Sequence, residues 1–305
     1  SCSDKFALIT RGYTSGANDF FFIEKGSRPE IEKEFLSPVI KTPREITGIV
    51  VDDGMLKNEV FQCSLSKNIL KQKFPGAYNY IEQGEKKAIE IKRGKDKGKK
   101  IIGYNSLSTT KTRSLWYALP ELKRADVLMR QFYNEKFDFP LNPEEFPCDH
   151  TFYYIHITSD KTLSEGKNVI PDRQNKVLRL GSYLNSTLSW LFVEVLGRKN
   201  MGEGVLTCYG PEMRAFPVIN PEDLAGIEDL FQPLIQRPVE SVFKELGIDP
   251  KKPIPLQIPN PKPDRMALDN FIFDVVGLTE RQRSEVYLKL CELVKNRIQK
   301  AKNIL

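Results

Sequence analysis

Apolar positions fall into two periods along this chain, and the change of period divides it. Phe6–Arg11 and Phe20–Glu24 are apolar, aromatic-rich runs on either side of a Gly/Asn-rich segment from Gly12 to Asp19. That pattern predicts two strands and a connecting turn. Glu45–Val51 is β-branched and closes on Asp52-Asp53-Gly54, so it reads as a strand ending in a turn. Ile31–Phe35 predicts a short helix or turn ahead of Pro38, and Ile69–Lys73 and Ala77–Gly84 predict helices separated by Pro75-Gly76. Arg124–Phe132 and Thr151–Thr158 predict strands. Gln174–Val195 predicts one amphipathic helix, with Leu178, Leu184, Leu188, Leu191 and Val195 along its apolar side.

After Asn220 the pattern turns helical. Pro221-Glu222-Asp223 is a helix start, with proline and acids in the first turn. Ile227–Ile235 and Val239–Leu246 carry helical spacing, with a break or kink expected at Pro233. The prolines at 250, 253, 255, 259, 261 and 263 predict a stiff extended connector over about residues 249–264. Met266–Val276 and Glu280–Asn303 then predict two helices, with Thr279 as N-cap of the second. The expected class is α+β. A mixed-sheet domain over residues 1–222 precedes a mostly helical C-terminal region, 223–305. The chain begins on Ser with an apolar run close behind, so it reads as a piece of something longer, with the missing part N-terminal.

Composition narrows the functional classes. An apolar content of 40% supplies a real core. No run approaches the length of a membrane span, and no signal peptide opens the chain. The five cysteines include no C-x-x-C pair, so a cytosolic location is expected and no disulfide framework. Cys148, His150 and His156 make a loose cluster without the fourth ligand of a closed zinc site, and no metal is assigned. Charge is more informative. Lys86–Lys100 holds eight positive and two negative residues, a local +6 that equals the net charge of the whole chain. Such concentration is the electrostatic footprint of a polyanion partner, or else a lysine-rich surface loop that only solubilises the protein.

Candidate catalysis is mostly absent. An adenine methyltransferase requires an Asn/Asp-Pro-Pro-aromatic loop, and the chain contains no Pro-Pro; Asn142-Pro143 and Asn220-Pro221 share only its start. Gly12-x-x-x-Gly16 is not followed by the helix of a nucleotide-binding turn. Glu90-Ile91-Lys92 and Glu121-Leu122-Lys123, with Asp52 or Asp53, fit the short end of a metal-dependent nuclease pattern that lysine-rich chains also produce by chance. No G-x-S-x-G is present. No catalytic or cofactor-binding residue is assigned.

An ordered series of motifs is the positive signal. Arg11-Gly12-Tyr13-Thr14-Ser15-Gly16-Ala17-Asn18-Asp19-Phe20-Phe21 opens it. Ile31 to Lys41, Arg113-Ser114-Leu115-Trp116-Tyr117-Ala118-Leu119, Tyr183-Leu184-Asn185-Ser186-Thr187-Leu188 and Phe216-Pro217-Val218 follow. In order and spacing the series resembles the C-terminal target-recognition region of N6-adenine DNA methyltransferases, the γ-class type II and type IIG restriction–modification proteins, over about residues 6–220. The resemblance implies a DNA target-recognition domain. It also implies an N-terminal methyltransferase domain of the same polypeptide, which holds S-adenosylmethionine. The partner is then double-stranded DNA, and no membrane is involved. Phosphate and base-edge contacts call for Lys, Arg and small polar side chains. The DNA-binding candidates are therefore Arg11, Thr14 and Ser15; Lys92, Arg93, Lys95, Lys97, Lys99 and Lys100 in a mobile basic loop; Thr109, Lys111 and Arg113; and Arg198 and Lys199. Trp116 is read as core. A nuclease and a purely structural or protein-interaction module remain the alternatives.

Overall fold

A computed structural model describes residues 7–27, 30–92, 96–120, 125–157, 169–199 and 203–302. Strand β1 (Ala7–Arg11) is followed by a one-turn helix, α1 (Asn18–Phe21), then β2 (Phe22–Glu24), β3 (Leu36–Val39) and β4 (Asn58–Phe61). Helices α2 (Lys67–Lys73) and α3 (Pro75–Lys86) lead into β5 (Ala88–Glu90) and β6 (Lys100–Ile102). Next come β7 (Val127–Arg130), β8 (Phe132–Tyr133), β9 (Phe152–Ile157), α4 (Val169–Leu184), α5 (Thr187–Leu196), β10 (Leu206–Thr207) and α6 (Gly210–Arg214). The last part is helical: α7 (Ile227–Ile235), α8 (Val242–Glu245), α9 (Pro263–Val275) and α10 (Glu280–Lys302). The α+β class and the helical C-terminal region thus stand as expected.

The sheets are small and antiparallel. β9 lies between β1 and β7, with Ile155 opposite both Ile9 and Val127. β4 lies between β2 and β3, β5 pairs with β6, and β10 with β8. Two large apolar clusters follow from this. One gathers Phe20, Phe21, Phe61, Leu70, Ile81, Trp116 and Tyr117 beneath the β2–β4–β3 sheet and α3. Trp116 is core, as read, 4.6 Å from the Phe20 ring, and its Nε1 donates to Glu85 at 2.6 Å. The other runs from Ile49 through β7, β9, α4 and α5 to Val294 on α10. It takes residues from both sides of position 222.

Several local expectations change. Phe20 and Phe21, read as the start of a strand, coil with Asn18 and Asp19 into α1, and only Phe22–Glu24 is extended. Glu45–Val51 forms no strand; it touches the chain opposite at the single bridge Val50–Leu141. The helix expected over 174–195 is two helices broken at Asn185-Ser186. Asn185 leaves the helical path to exchange hydrogen bonds with the Phe139 backbone, and Ser186 caps α5. Pro233 does not end α7. The proline-rich stretch is folded back rather than spanning. Ile254 is buried, the Gln257 side chain clasps the Asp249 backbone, and Asn260 N–H donates to Leu246 at 3.0 Å. Among the described residues no helix is long and apolar enough to cross a membrane.

Candidate nucleic-acid interface

The basic segment is a β-ribbon, not the loop expected from its lysines and glycines. Helix α3 ends at Lys86 and the chain enters β5 at once. β5 and β6 pair from Ala88–Ile102 to Glu90–Lys100, and the ladder continues through Ile91 N–H to Lys99 O at 2.9 Å. Gly98 closes the turn at φ +88°. Gly103, at φ +80°, fixes the base: a Cβ there would stand 2.5 Å from Glu85 O, so only glycine lets the ribbon leave α3 at this angle. Lys92, Lys97, Lys99 and Lys100 are exposed. Lys99 pairs with Asp96 at 2.8 Å and Lys92 with Asp19 at 3.1 Å, all four side chains being largely in water. Arg93 and Lys95 lie outside the described residues.

The Lys92–Asp19 contact brings the ribbon to the Gly12–Asp19 loop. Thr109 donates to Gly16 O at 2.6 Å and joins a third segment to the same place. The Lys99 hydrogen bond holds the Asp96 carboxyl below its ordinary pKa, and the charge of Lys111 adds to it, so Lys111 lies near the ribbon turn. Thr14, Lys92, Thr109 and Lys111 are therefore exposed around one locus with the ribbon lysines. Two candidates serve inside it instead. Ser15 is fully buried; its hydroxyl donates to Asn18 and accepts from Ala17 N–H. Arg113 donates to Ser15 O at 2.7 Å and to Ala118 O, and lies 5.7 Å over the Phe21 ring, where burial lowers its pKa. These two hold the loop in shape.

Arg11, Arg198 and Lys199 are not brought to the ribbon by any of these contacts. Arg11 reaches His150 O and Gln131. Arg198 pairs with Glu212 at 2.6 Å and lies over Tyr209. Burial raises the Glu212 pKa, but the Arg198 hydrogen bond and helix-start amides outweigh it and the net shift is downward. Lys199 reaches the fully buried Glu194 at 3.5 Å. Arg198 and Lys199 thus already carry acidic partners.

The Cys/His cluster separates: His150 pairs with Asp149, His156 meets Thr10, and Cys148 is buried with its thiol raised by desolvation. Cys208 and Cys291 are likewise buried, their thiols pushed up to about 12. Asp52 caps a turn, accepting from Gly54 N–H, and Asp53 pairs with Lys25. Glu121-Leu122-Lys123 lies outside the described residues. Among the described residues no three His, Cys, Asp or Glu side chains gather as a metal site. One feature had no sequence signal at all. An open cleft of about 810 Å³ is lined by Arg44, Arg130, Phe132, Lys136 and Thr151, which are scattered along the chain and meet only in the fold.

Comparison with known proteins follows this geometry. Residues 2–241 match the model of the type II methyltransferase M.Eco57I C-terminal domain. Among solved structures, the chain resembles the one described as the crystal structure of the type IIG restriction endonuclease BpuSI. The TM-score is 0.56 at 13% identity, over 97% of this chain and 30% of that one. The likeness is one of fold, and the chain spans about 30% of the length of that structure. No curated protein matches it.

Proposed function

The chain belongs to the family of type II methyltransferase C-terminal domains typified by M.Eco57I, and on that premise we propose that it grips and reads double-stranded DNA for an N6-adenine methyltransferase or restriction–modification protein. Methyl transfer and S-adenosylmethionine binding fall to a catalytic domain of the parent polypeptide. The carrying observation is the β5–β6 ribbon. Lys92, Lys97, Lys99 and Lys100 stand in water on a two-stranded element whose exit angle is fixed by Gly103. A two-stranded ribbon is narrow enough to enter a major groove, and lysines at its rim suit phosphates. Gripping the duplex opposite the catalytic domain also helps an enzyme that extrudes its target base. Thr14, Thr109 and Lys111 flank the ribbon and extend the same polar surface.

The test is fluorescence anisotropy of the chain with duplex DNA across a KCl series, with the ribbon lysines 92, 97, 99 and 100 changed to glutamine in a second protein. Each phosphate contact contributes roughly 0.9 to the slope of log K against log salt. The expected result is a steep slope that falls by about 3 to 4 in the variant. An unchanged slope would leave the lysines as solubilising residues and sink the reading of the ribbon.

A further inference from the structure

The cleft of about 810 Å³ is separate from the ribbon in sequence, and its charges are disposed differently from those of the rest of the chain. Arg130 lies in it with both of its acid's oxygens occupied: Nε and Nη2 donate to Asp138 at 2.7 Å each, and the remaining donors hold Pro43 O and Ile46 O. That pair is neutral and closed. Arg44 and Lys136 are not. Neither side chain has a hydrogen-bond or ion-pair partner among the described residues. Thr42 caps the short turn that presents Arg44, accepting from the Arg44 N–H. Across the cleft Phe132 is 38% exposed, large for an aromatic ring in this chain.

The walls carry the cations with them. Arg11 clasps His150 O and Gln131, the neighbours of the lining residues Thr151 and Phe132. Phe132 stands opposite Thr207 in the β8–β10 pair, and Thr207 bridges Arg198. Arg11 and Arg198 thus each touch a neighbour of a lining residue, although neither lines the cleft itself.

We propose that the cleft is a second DNA contact, in which Arg44 and Lys136 take phosphates of one strand and Phe132 packs on the sugars between them. The inference rests on the DNA-binding reading above. The chemistry fits each wall: a guanidinium and an ammonium without internal acids favour an anionic chain. An exposed ring beside them favours a ligand with an apolar face between its charges. Because Arg44 and Lys136 make no hydrogen bond or ion pair among the described residues, and glutamine keeps most of the partly buried Lys136 stem, the replacements remove little packing.

The experiment uses the same anisotropy salt series with three proteins: the unchanged chain, the ribbon variant and Arg44→Gln/Lys136→Gln. Two lost contacts are expected to reduce the slope by roughly 1.8 while leaving the thermal transition unmoved. Phe132→Ala is expected to weaken binding without changing the slope. In parallel, acetylation of the unchanged chain is followed by mass spectrometry with and without duplex DNA, and Lys136 is expected to be protected. If the ribbon variant flattens the slope while the cleft variant matches the unchanged chain and Lys136 acetylates freely, the cleft is overturned and the DNA-binding reading stands. A chain with no salt-dependent binding would overturn both.

Discussion

In the β5–β6 ribbon lysines project into water, held at most by exposed aspartates, whereas the helical C-terminal region sinks Arg265 and Arg297 into the core. Arg265 is fully buried, 4.0 Å from the Trp190 ring, and bonds Asn185 O and Glu245. Arg297 on α10 grips the buried Glu194 on α5 and also the backbones of Gly204 and Asn134. Arg237 bridges Glu245 and Asp264. Formal charges are alike in the two regions, but hydration separates their uses. A charge taken out of water needs acids and carbonyls to meet its donors, and of these arginines Arg265 leaves its Nη2 without a partner, so a buried arginine fixes which segments lie together. A charge left in water contributes little to folding and is free for an outside partner.

Breaking the buried side of that contrast carries the largest expected effect. Arg297→Met would leave the Glu194 carboxylate in the core with only the longer Lys199 contact, 3.5 Å. A loss of about 3–5 kcal/mol in denaturant unfolding is expected. A loss below about 1 kcal/mol would mean that Glu194 takes a proton or reaches water, and that α10 is not tied to α5 by charge.

Acid should open the same region. Burial pushes the Glu245 pKa up, but Arg237 hydrogen bonds and the Arg265 charge outweigh it and the result lies below its ordinary 4.5. The Asp264 carboxyl lies below 3.8, chiefly through its bond to Arg237. A depressed carboxylate contributes stability that is complete above its unfolded pKa and is lost as pH falls through the folded one. Asp269, raised by burial, acts in the opposite sense. Glu228 and Glu240 in the same region are depressed too, Glu228 against its burial by the amides at the start of α7 and by Arg179, and Glu240 by Lys262 and Lys244. Four depressed groups against one predict urea midpoints steady from pH 7 to about 5 and falling below about 4.5. Arg237→Met should flatten the decline, and an unaltered profile in that variant would remove Arg237 from the explanation.

A smaller effect tests the break between α4 and α5. Ser186 Oγ accepts from Ser189 N–H and donates to Tyr183 O. Ser186→Ala is expected to cost about 1 kcal/mol, read in the same urea titration. A variant as stable as the parent would show that Asn185, not the cap, holds the break.

That break also marks where the sequence stops being legible. Leu184 and Leu188 keep helical spacing across it, so periodicity alone runs the two helices together. What separates them is Asn185 bonded to Phe139, a contact between residues far apart in the chain. The tail helices were legible because their apolar spacing is local. The ribbon was legible as charge but not as structure, since eight basic residues hide the short Ile89/Ile91 alternation facing Ile101. Ser15 and Arg113 look like ligands in sequence because their types are right, and only burial shows that they brace the loop. Arg44, Phe132 and Lys136 carry no motif, because a cleft assembled from four separate segments, 42–47, 130–138, 151 and 238, leaves no spacing to find.

The smallest expected change in stability is on the exposed side. Of the ribbon lysines 92, 97, 99 and 100, Lys92 and Lys99 make surface pairs, with Asp19 and Asp96. Replacing all four by glutamine should therefore leave the urea midpoint essentially unmoved. Fewer like charges on one narrow ribbon act against the loss of the pairs. The same protein is expected to lose most of its salt-dependent grip on DNA. That dissociation of stability from binding is the sharpest form of the contrast with Arg297, where stability should fall first and binding only with it. A ribbon variant that unfolds as readily as Arg297→Met would place the lysines among the structural charges, and the exposed and buried regions would no longer differ in use.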